Sequence, residues 1–303
     1  MQSVSCLCSG AAEWAASRGP ADSRAGGKSM AKIAVFNQKG GVGKTTTSLN
    51  LTAALARRGY NPLSIDLDPQ AHLSYVCGST VGNADDSIFG FYQSTKPLTQ
   101  LIRPASGGWL VIPAHVELSK VDTQFGKGPN ILNRLNVGII RENLNTGRPI
   151  VLDCCPVLGV LSLSAIFASD RVLIPVSTDY LAVHSVFQVE KTLRALEHVL
   201  KKRVMRRYVM TRFDGRRKMS HQIYDELKQR LGDEVCDTRI TENVSIAESP
   251  AHGKDVFAHS PESRGAEDYE ALLEELVDVG FIERREPEAV AESPVTAFLR
   301  PAV

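Results

Sequence analysis

Ten residues, 37-NQKGGVGKTT-46, constrain the fold of this chain more than any other stretch. They lie between 32-KIAVFN-37, which predicts a short apolar strand, and 44-KTTTSLNLTAALARRG-59, which predicts a helix ending at Gly59. The pattern GxxxxGK[ST] has Gln38 in place of its first glycine, but it keeps three glycines and the Lys-Thr pair. A glycine loop alone arises often by chance, whereas one between a strand and a helix predicts a phosphate-binding loop.

The chemistry of such a loop assigns roles to its residues. Glycines let backbone N–H groups converge on phosphate oxygens, and the start of the helix adds its dipole. Lys44 would neutralise the β and γ phosphates, and the Thr45 hydroxyl would ligate Mg²⁺. The residues predicted to hold the nucleotide, which we expect to be ATP, are Gly40, Gly41, Val42, Gly43, Lys44, Thr45 and Thr46. Lys39, at the other end of the loop, has no role in this scheme.

Apolar strand patterns alternate with helical patterns along most of the chain. Seven strands are predicted, at 32–37, 62–68, 109–114, 149–155, 171–176, 206–213 and 235–240. Helices are predicted at 44–59, 129–145, 160–168, 183–202, 220–231 and 265–279. Near-continuous apolar strands separated by helices indicate an α/β fold with a doubly wound, mostly parallel sheet and helices on both faces.

Local composition along the chain predicts its domain organisation. Residues 1–29 are rich in Ala, Gly and Ser, and we interpret them as a disordered leader or a non-native extension, because a strand follows Met30 at once. Residues 30–282 show no repeat and no linker, so they are predicted to form one domain. Residues 283–303 contain three prolines and little periodicity, which predicts a flexible tail.

Composition narrows the function classes. The chain has 303 residues, 43% of them hydrophobic, and a net charge of +1, so any affinity for nucleic acid must come from a local patch. No apolar run reaches the roughly 18 residues of a membrane helix. The six cysteines show no CxxC spacing. These features favour a reducing, cytoplasmic compartment.

The sequence resembles the deviant Walker A ATPases of the ParA/MinD type, and within them the ParA branch, which partitions DNA or positions cargo. The resemblance runs from Lys32 to about Phe281. It rests on NQKGGVGKTT, 65-IDLDPQ-70, 151-VLDCCP-156, 169-SDRVLIPVSTDYLAV-183, 213-FDGRRKMS-220, 248-ESPAHGK-254 and 261-PESRGAEDY-269. It implies that Lys39 is the signature lysine, which reaches the phosphates of the ATP held by the partner in a homodimer.

The resemblance also assigns the carboxylates. Asp68 would orient the attacking water, so the predicted catalytic residues are Lys39, Lys44 and Asp68. Asp153 matches the Walker B carboxylate, and Asp66 would support Mg²⁺ or the loop. The predicted metal residues are therefore Thr45, Asp66 and Asp153. The alternative is that aspartates at strand ends only cap the next helix.

The chain departs from the family in two places. The switch after Walker B reads 153-DCCP-156, with Cys155 in place of a proline; small buried packing is a better explanation than redox chemistry, and no further ligands for an iron-sulfur cluster are suitably placed. Where partition ATPases often carry PRNVR, this chain has 241-TENVS-245, so Glu242 and Ser245 replace two arginines. That change puts part of the usual DNA-binding surface in doubt.

A run of basic residues favours DNA binding. Between Lys191 and Lys218 there are eleven lysines and arginines against Glu197 and Asp214. A solvated helix face is the plain alternative. We interpret Arg216, Arg217 and Lys218 as a surface for nonspecific DNA, because neutralising phosphates gives sequence-independent, salt-sensitive binding.

The sequence thus predicts an ATP-driven dimer on the nucleoid that moves a cargo and is stimulated by a ParB-like or cargo adaptor protein. Two other classes stay open. A MinD-like membrane switch needs a C-terminal amphipathic helix with a basic face, but 262-ESRGAEDYEALLEELVD-278 is acidic. A metabolic enzyme on the same fold, such as an amide-forming synthetase, needs a second substrate pocket, which no motif marks. The cargo is not specified by the sequence.

Overall fold

A computed structural model describes residues 28–126 and 128–285, which contain an eight-stranded sheet. The strands in chain order are β1 (Lys32–Val35), β2 (Leu63–Leu67), β3 (Arg103–Pro104), β4 (Leu110–Ile112), β5 (Ile150–Cys154), β6 (Arg171–Ser177), β7 (Met205–Phe213) and β8 (Val235–Thr241). The predicted strands are present, each with ends within about two residues of the prediction.

Helices connect and cover these strands. In chain order they are α1 (Lys44–Arg57), α2 (His72–Val76), α3 (Ile88–Tyr92), α4 (Leu98–Leu101), α5 (Val121–Gln124), α6 (Pro129–Arg141), α7 (Val160–Ala168), α8 (Ala182–Leu200), α9 (Lys218–Leu231), α10 (Val244–Glu248), α11 (Val256–His259) and α12 (Arg264–Asp278). Short 3₁₀ turns occur at Ala84–Asp86, Val116–Lys120, Gly232–Glu234 and Ser249–His252.

The strand order is β3-β4-β2-β5-β1-β6-β7-β8. Every pair is parallel except β3 with β4, so the predicted mostly parallel sheet is confirmed. Strand β1 lies between β5 and β6, and β2 is the other neighbour of β5. Because these strands are parallel, their carboxyl ends meet at one edge, where ligands of open α/β sheets bind.

The core has two layers, one on each face of the sheet. Alternate residues of β1 point to opposite faces, so Ile33 and Val35 pack with α1 and α12, whereas Ala34 packs with α6, α7 and α8. Helix α12 buries Tyr269 and Leu272 in the first of these layers. Apolar residues on both faces of each central strand explain why their patterns read as continuous rather than alternating.

The short elements were not predicted. Strand β3 has only two residues, and α2 to α5, α10 and α11 have four or five each, too few to show a period of 3.6. Helix α3 is fully buried and packs against β2, and α2 and α11 contact α1, so tertiary contacts stabilise these single turns.

The structure describes only part of the two segments that were predicted to flank the domain. The leader prediction falls mostly on residues 1–27, which lie outside the described part of the chain, and Ser29 forms a bridge with Thr146. The tail was predicted to begin at 283, but Glu283 accepts a hydrogen bond from the Ala31 backbone N–H at 2.8 Å and pairs with Arg171 at 2.5 Å. Contacts to the domain continue to Arg285, whose backbone N–H donates to the Tyr60 hydroxyl at 3.1 Å. Residues 286–303 lie outside the description.

Candidate functional site

The glycine loop follows β1 at the carboxyl edge of the sheet and leads directly into α1. Gly43 has φ +85, a conformation that favours glycine, and its carbonyl accepts the Thr47 N–H at 2.8 Å. No side chain caps the first turn of this 14-residue helix. Its first N–H groups, from Lys44 to Thr46, therefore have no side-chain acceptor, and their predicted role in phosphate binding stays a prediction.

Neighbouring strands hold the loop in place. The Asn37 side chain donates to the Pro175 carbonyl of β6 at 2.8 Å and accepts the Lys39 N–H at 3.0 Å. From β7, the Thr211 hydroxyl donates to the Val42 carbonyl at 2.9 Å. Sequence reasoning did not identify Asn37 or Thr211 as positioning residues, because their partners are more than 130 residues away.

Lys44 is buried at the base of the loop. Its ammonium donates to the Lys39 carbonyl at 2.9 Å. Burial lowers the pKa of Lys44, and the charges of Asp153 and Asp68 oppose that shift. The two carboxylates therefore lie close to the ammonium, as a site that combines a phosphate-binding lysine with acidic residues requires.

Asp153 and Asp66 occupy facing positions of the neighbouring strands β5 and β2. Burial and the charge of Asp66 raise the pKa of Asp153, while hydrogen bonds from Ser48 and Thr45 oppose this shift. Ser48 donates to Asp153 Oδ1 at 2.8 Å, but Oδ2 is buried without a partner among the described residues. An orphaned carboxylate oxygen beside a threonine hydroxyl fits a divalent cation such as Mg²⁺, which prefers oxygen ligands.

Both carboxylate oxygens of Asp66, unlike those of Asp153, accept hydrogen bonds. Its Oδ2 accepts the Ser74 N–H at 2.9 Å and the Ser74 hydroxyl at 2.6 Å, and its Oδ1 accepts the Asp68 N–H at 3.1 Å. Burial raises the pKa of Asp66, and these hydrogen bonds counteract the shift. Asp66 therefore anchors the segment that carries Asp68 and the first turn of α2, which agrees with the alternative that a strand-end aspartate caps the next helix. Its support of Mg²⁺ stays a prediction.

Asp68 lies at the end of β2, half-buried. Its Oδ1 accepts the Gln70 N–H at 2.9 Å, and no described residue donates to Oδ2. Ala71, directly after this turn, has φ +53, a left-handed conformation that costs a non-glycine residue about 1 kcal/mol. The hydrogen bond from Gln70 orients the Asp68 carboxylate, and its predicted role in holding a water molecule stays a prediction.

Lys39 lies on the outer lip of the loop. Its ammonium forms an ion pair with Asp179, in the turn after β6. Asp179 was not predicted as a site residue, although it lies in 169-SDRVLIPVSTDYLAV-183. Exposed apolar side chains border this lip: Tyr180 is 89% exposed, and Val157, in the segment after Asp153, is 65% exposed.

Cys154 and Cys155 are both buried. Burial raises the pKa of Cys155 to about 12 and holds the pKa of Cys154 well above its usual value, so both remain thiols at neutral pH. In the described residues, no cluster of three or more His, Cys, Asp or Glu side chains that could hold a metal ion occurs. The pair thus fills space in the core, as the sequence analysis favoured.

The basic run between Lys191 and Lys218 does not form one surface. Strand β7 spans nine residues, about 26 Å at 3.3 Å per residue, and separates Lys202 and Arg203 at one edge of the sheet from Arg216 and Arg217 at the other. The sequence count treated these groups together, and in that respect it was wrong.

Arg206 is not available to any ligand. Its side chain is 3% exposed and lies between Glu190, at 2.9 Å, and Glu197. The Tyr208 hydroxyl also donates to Glu190. Glu190 lies outside the window in which acids were counted, so the folded chain neutralises more of the run than the sequence suggested.

We expect Arg206→Ala to lower the free energy of unfolding by about 3 kcal/mol, because it removes the buried cation shared by two partly buried carboxylates and leaves Glu190 with the exposed Arg194, at 3.5 Å. Equilibrium unfolding in urea measures the change. Arg230→Ala is the matched control: that side chain is half exposed, pairs with Glu226 at 2.7 Å and lies 5.0 Å from the centre of the Phe187 ring, so a change of no more than about 1 kcal/mol is expected. Equal effects of the two substitutions would contradict the assignment of Arg206 to the core.

The predicted DNA-binding residues lie together after β7. Arg216 is 92% exposed and Arg217 is also exposed, and both pair with Asp214, at 3.0 and 3.2 Å. Lys218 begins α9 and is exposed. Glu242, from the departing segment 241-TENVS-245, lies 3.4 Å from Arg212 at the same edge. Two acids therefore share this surface with the arginines.

Comparisons with known proteins agree with this architecture. Residues 30–205 match a family described as AAA domain. The chain is 33% identical over 252 residues to the sporulation initiation inhibitor protein Soj of Bacillus subtilis, covering 82% of this chain and 98% of Soj. It is 36% identical over 249 residues to the chromosome-partitioning ATPase Soj of Thermus thermophilus, covering 81% and 95%.

Solved structures share the fold. An ATP complex of a variant McdA from Cyanothece superposes with a TM-score of 0.74 at 19% identity, covering 86% of this chain and all of that one. A cobyrinic acid a,c-diamide synthase from Mycobacterium smegmatis, with ADP and magnesium, gives 0.71 at 23% identity, covering 84% and 97%. Together with the sequence matches over four-fifths of its length, the phosphate loop at the β1–α1 junction shows that this chain belongs to the ParA/MinD-type P-loop ATPase family.

Proposed function

We propose that this chain is an ATP-dependent dimerising switch that binds DNA nonspecifically in its ATP state and partitions or positions a cargo. The observation that carries the proposal is the position of Lys39. This second lysine lies on the exposed lip of the loop, whereas Lys44 already occupies its base. A cation placed there can serve the nucleotide of a second copy that docks on the same lip.

The surface around Lys39 supports docking of a second copy. Tyr180, Leu181, Val157 and Leu158 are exposed apolar side chains in the two segments next to the loop. Apolar side chains clustered at the mouth of a site are typical of an interaction surface. Dimerisation would bury them, and ATP held between the subunits would bias the equilibrium towards the dimer.

The residues at the base of the loop support ATP hydrolysis. Lys44 and the first turn of α1 would bind the phosphates, and Asp68 would hold and orient the attacking water with its available oxygen. Thr45 and Asp153 would hold Mg²⁺, which supplies charge neutralisation at the phosphates when bound. We expect weak turnover by the chain alone and stimulation by a ParB-like or cargo adaptor protein.

The DNA-binding part of the proposal rests on Arg216, Arg217 and Lys218. Thr211, near the end of the strand β7 that precedes these residues, contacts the phosphate loop, so this surface lies at the nucleotide edge of the sheet. A conformational change in the phosphate loop could therefore be transmitted to this surface through the end of β7. Binding in the ATP state would associate the protein with the nucleoid.

The two alternatives have less support. The last described helix, α12, packs its apolar face into the core, so it does not offer the free amphipathic helix of a MinD-like membrane switch. Among the described residues, no helix has the length and apolar composition needed to cross a membrane. The likeness to the diamide synthase concerns the fold alone. DNA retardation and liposome flotation, each with ATP and with ADP, test the three functions together; ATP-dependent flotation without DNA retardation would overturn our proposal.

A charge reversal tests the DNA surface. We expect Arg216→Glu with Arg217→Glu to weaken binding equally on unrelated DNA sequences and only in the ATP state. Each phosphate contact contributes about −0.9 to the slope of log K against log salt, so two lost contacts should flatten the slope by about 2. Retardation assays over a salt series measure both quantities.

The matched control reverses the same charge at the opposite edge of the sheet. Lys202→Glu with Arg203→Glu should leave the affinity and the salt slope unchanged, and both double variants should dimerise with ATP as the unmodified protein does. If the Arg216 and Arg217 variant binds DNA as tightly as the unmodified protein at every salt concentration, this surface does not bind DNA.

A further inference from the structure

The ion pair between Lys39 and Asp179 fixes the direction of the Lys39 side chain. The backbone of Lys39 is held at both ends, because its N–H donates to Asn37 Oδ1 at 3.0 Å and its carbonyl accepts from Lys44 at 2.9 Å. Within this fixed frame the side chain turns to Asp179 of its own subunit. The ammonium that our proposed function assigns to the partner's nucleotide is therefore engaged within the monomer.

Hydrogen bonds within its own turn orient the Asp179 carboxylate for this contact. The Ser177 hydroxyl donates to its Oδ2 at 2.7 Å, and the Leu181 N–H donates to its Oδ1 at 3.1 Å. Burial would raise the pKa of Asp179, but the hydrogen bonds from Lys39 and Ser177 outweigh it and hold the pKa below its usual value. The carboxylate is thus charged and oriented at neutral pH.

The position of the pair links it to the surface on which a second copy would dock. Asp179 lies directly before Tyr180 and Leu181, whose side chains are exposed. A copy that covers these apolar residues would also cover the turn that holds Asp179. Docking and release of Lys39 would then occur at the same place.

We propose that Asp179 is a positioning residue that retains Lys39 within its own subunit until an ATP-bound second copy docks, so that the pair opposes dimerisation. This inference rests on the proposed function, because it assumes that Lys39 acts on the partner's nucleotide. Each dimer must open two such pairs.

The pair is only partly buried, with side-chain exposures of 24% for Lys39 and 47% for Asp179, so its contribution is modest. Exposed ion pairs correspond to a factor of about 1.4 to 5 in an equilibrium constant. Because two pairs open, removing them should lower the dissociation constant of the dimer by about 2- to 25-fold. That range sets the expected result.

The first experiment tests the pair itself, without nucleotide. The rate at which an amine-reactive acetylating reagent labels Lys39 is followed by mass spectrometry in the unmodified protein, in Asp179→Asn and in Asp179→Glu. A paired ammonium reacts only while the pair is open, so Asp179→Asn should label about 1.4- to 5-fold faster, and Asp179→Glu should restore the slow rate. Lys254 in the same samples is the internal control; equal Lys39 labelling in all three proteins would overturn the proposal.

The second experiment tests the consequence for dimerisation. Asp68→Ala is used as the common background to suppress turnover, and the protein concentration for half-dimerisation with ATP is measured by analytical ultracentrifugation. Adding Asp179→Asn should lower that concentration about 2- to 25-fold, and adding Asp179→Glu should not. An unchanged or higher concentration would show that Asp179 does not oppose dimerisation. If no protein dimerises with ATP, the proposed function fails, whereas the labelling result still decides whether Asp179 holds Lys39.

Discussion

Lys44→Ala is expected to weaken ATP binding by about 30-fold or more, because it removes the buried cation at the base of the phosphate loop. Truncating one partner of a buried, hydrogen-bonded charge pair corresponds to about 2–5 kcal/mol, which includes this factor. The substitution also leaves the Lys39 carbonyl without its donor. Titration with a fluorescent ATP analogue measures the affinity directly.

Lys39→Ala is the matched control for this result. It removes the same ammonium group from the lip of the same loop, where it contacts Asp179 rather than the base of the site. We expect monomer binding of ATP to be largely retained, while ATP-dependent dimerisation in size-exclusion runs is lost. A Lys39 variant that dimerises like the unmodified protein would show that this lysine does not act across subunits.

Asp68→Ala is expected to lower the rate of ATP hydrolysis by about 10²- to 10⁴-fold, the usual contribution of a positioned acid or base. The change removes the acceptor for the attacking water but none of the phosphate donors. ATP binding should therefore persist, and the ATP-bound dimer should accumulate. Single-turnover hydrolysis and size-exclusion runs on the same samples separate the two effects.

Asp68→Asn distinguishes chemistry from local structure. Asp68 Oδ1 also accepts the Gln70 N–H at 2.9 Å, so alanine loses both the water acceptor and the turn, whereas asparagine keeps an oxygen for the turn. Both variants should lose turnover to a similar extent if the negative charge is what matters. Normal hydrolysis by Asp68→Asn would assign the role of Asp68 to the turn and the catalytic role to another residue.

The elements around the site show which parts of the fold are readable in the sequence. Strands β1, β2 and β5 are near-continuous apolar runs, with aspartates in or directly after the last residues of β2 and β5. This local pattern predicted the strands and placed Asp68 and Asp153 at one edge. Amphipathic helices of 13 or more residues, such as α6 and α12, show their period of 3.6. The two-residue strand β3 and the single-turn helices carry too few residues for either pattern.

The sequence by itself determined the phosphate loop, because its chemistry lies in consecutive residues whose glycines and helix start act over about ten positions. Only the tertiary structure decided what each charged side chain meets. Lys39 is paired with Asp179, 140 residues further along the chain, and Asp153 is held by Ser48, 105 residues before it. Arg206, one of eleven similar cations in the sequence, is buried between two glutamates of α8. Ion pairing depends on separations of a few ångströms, and the distance along the chain does not fix these separations; packing of the sheet and its helices does.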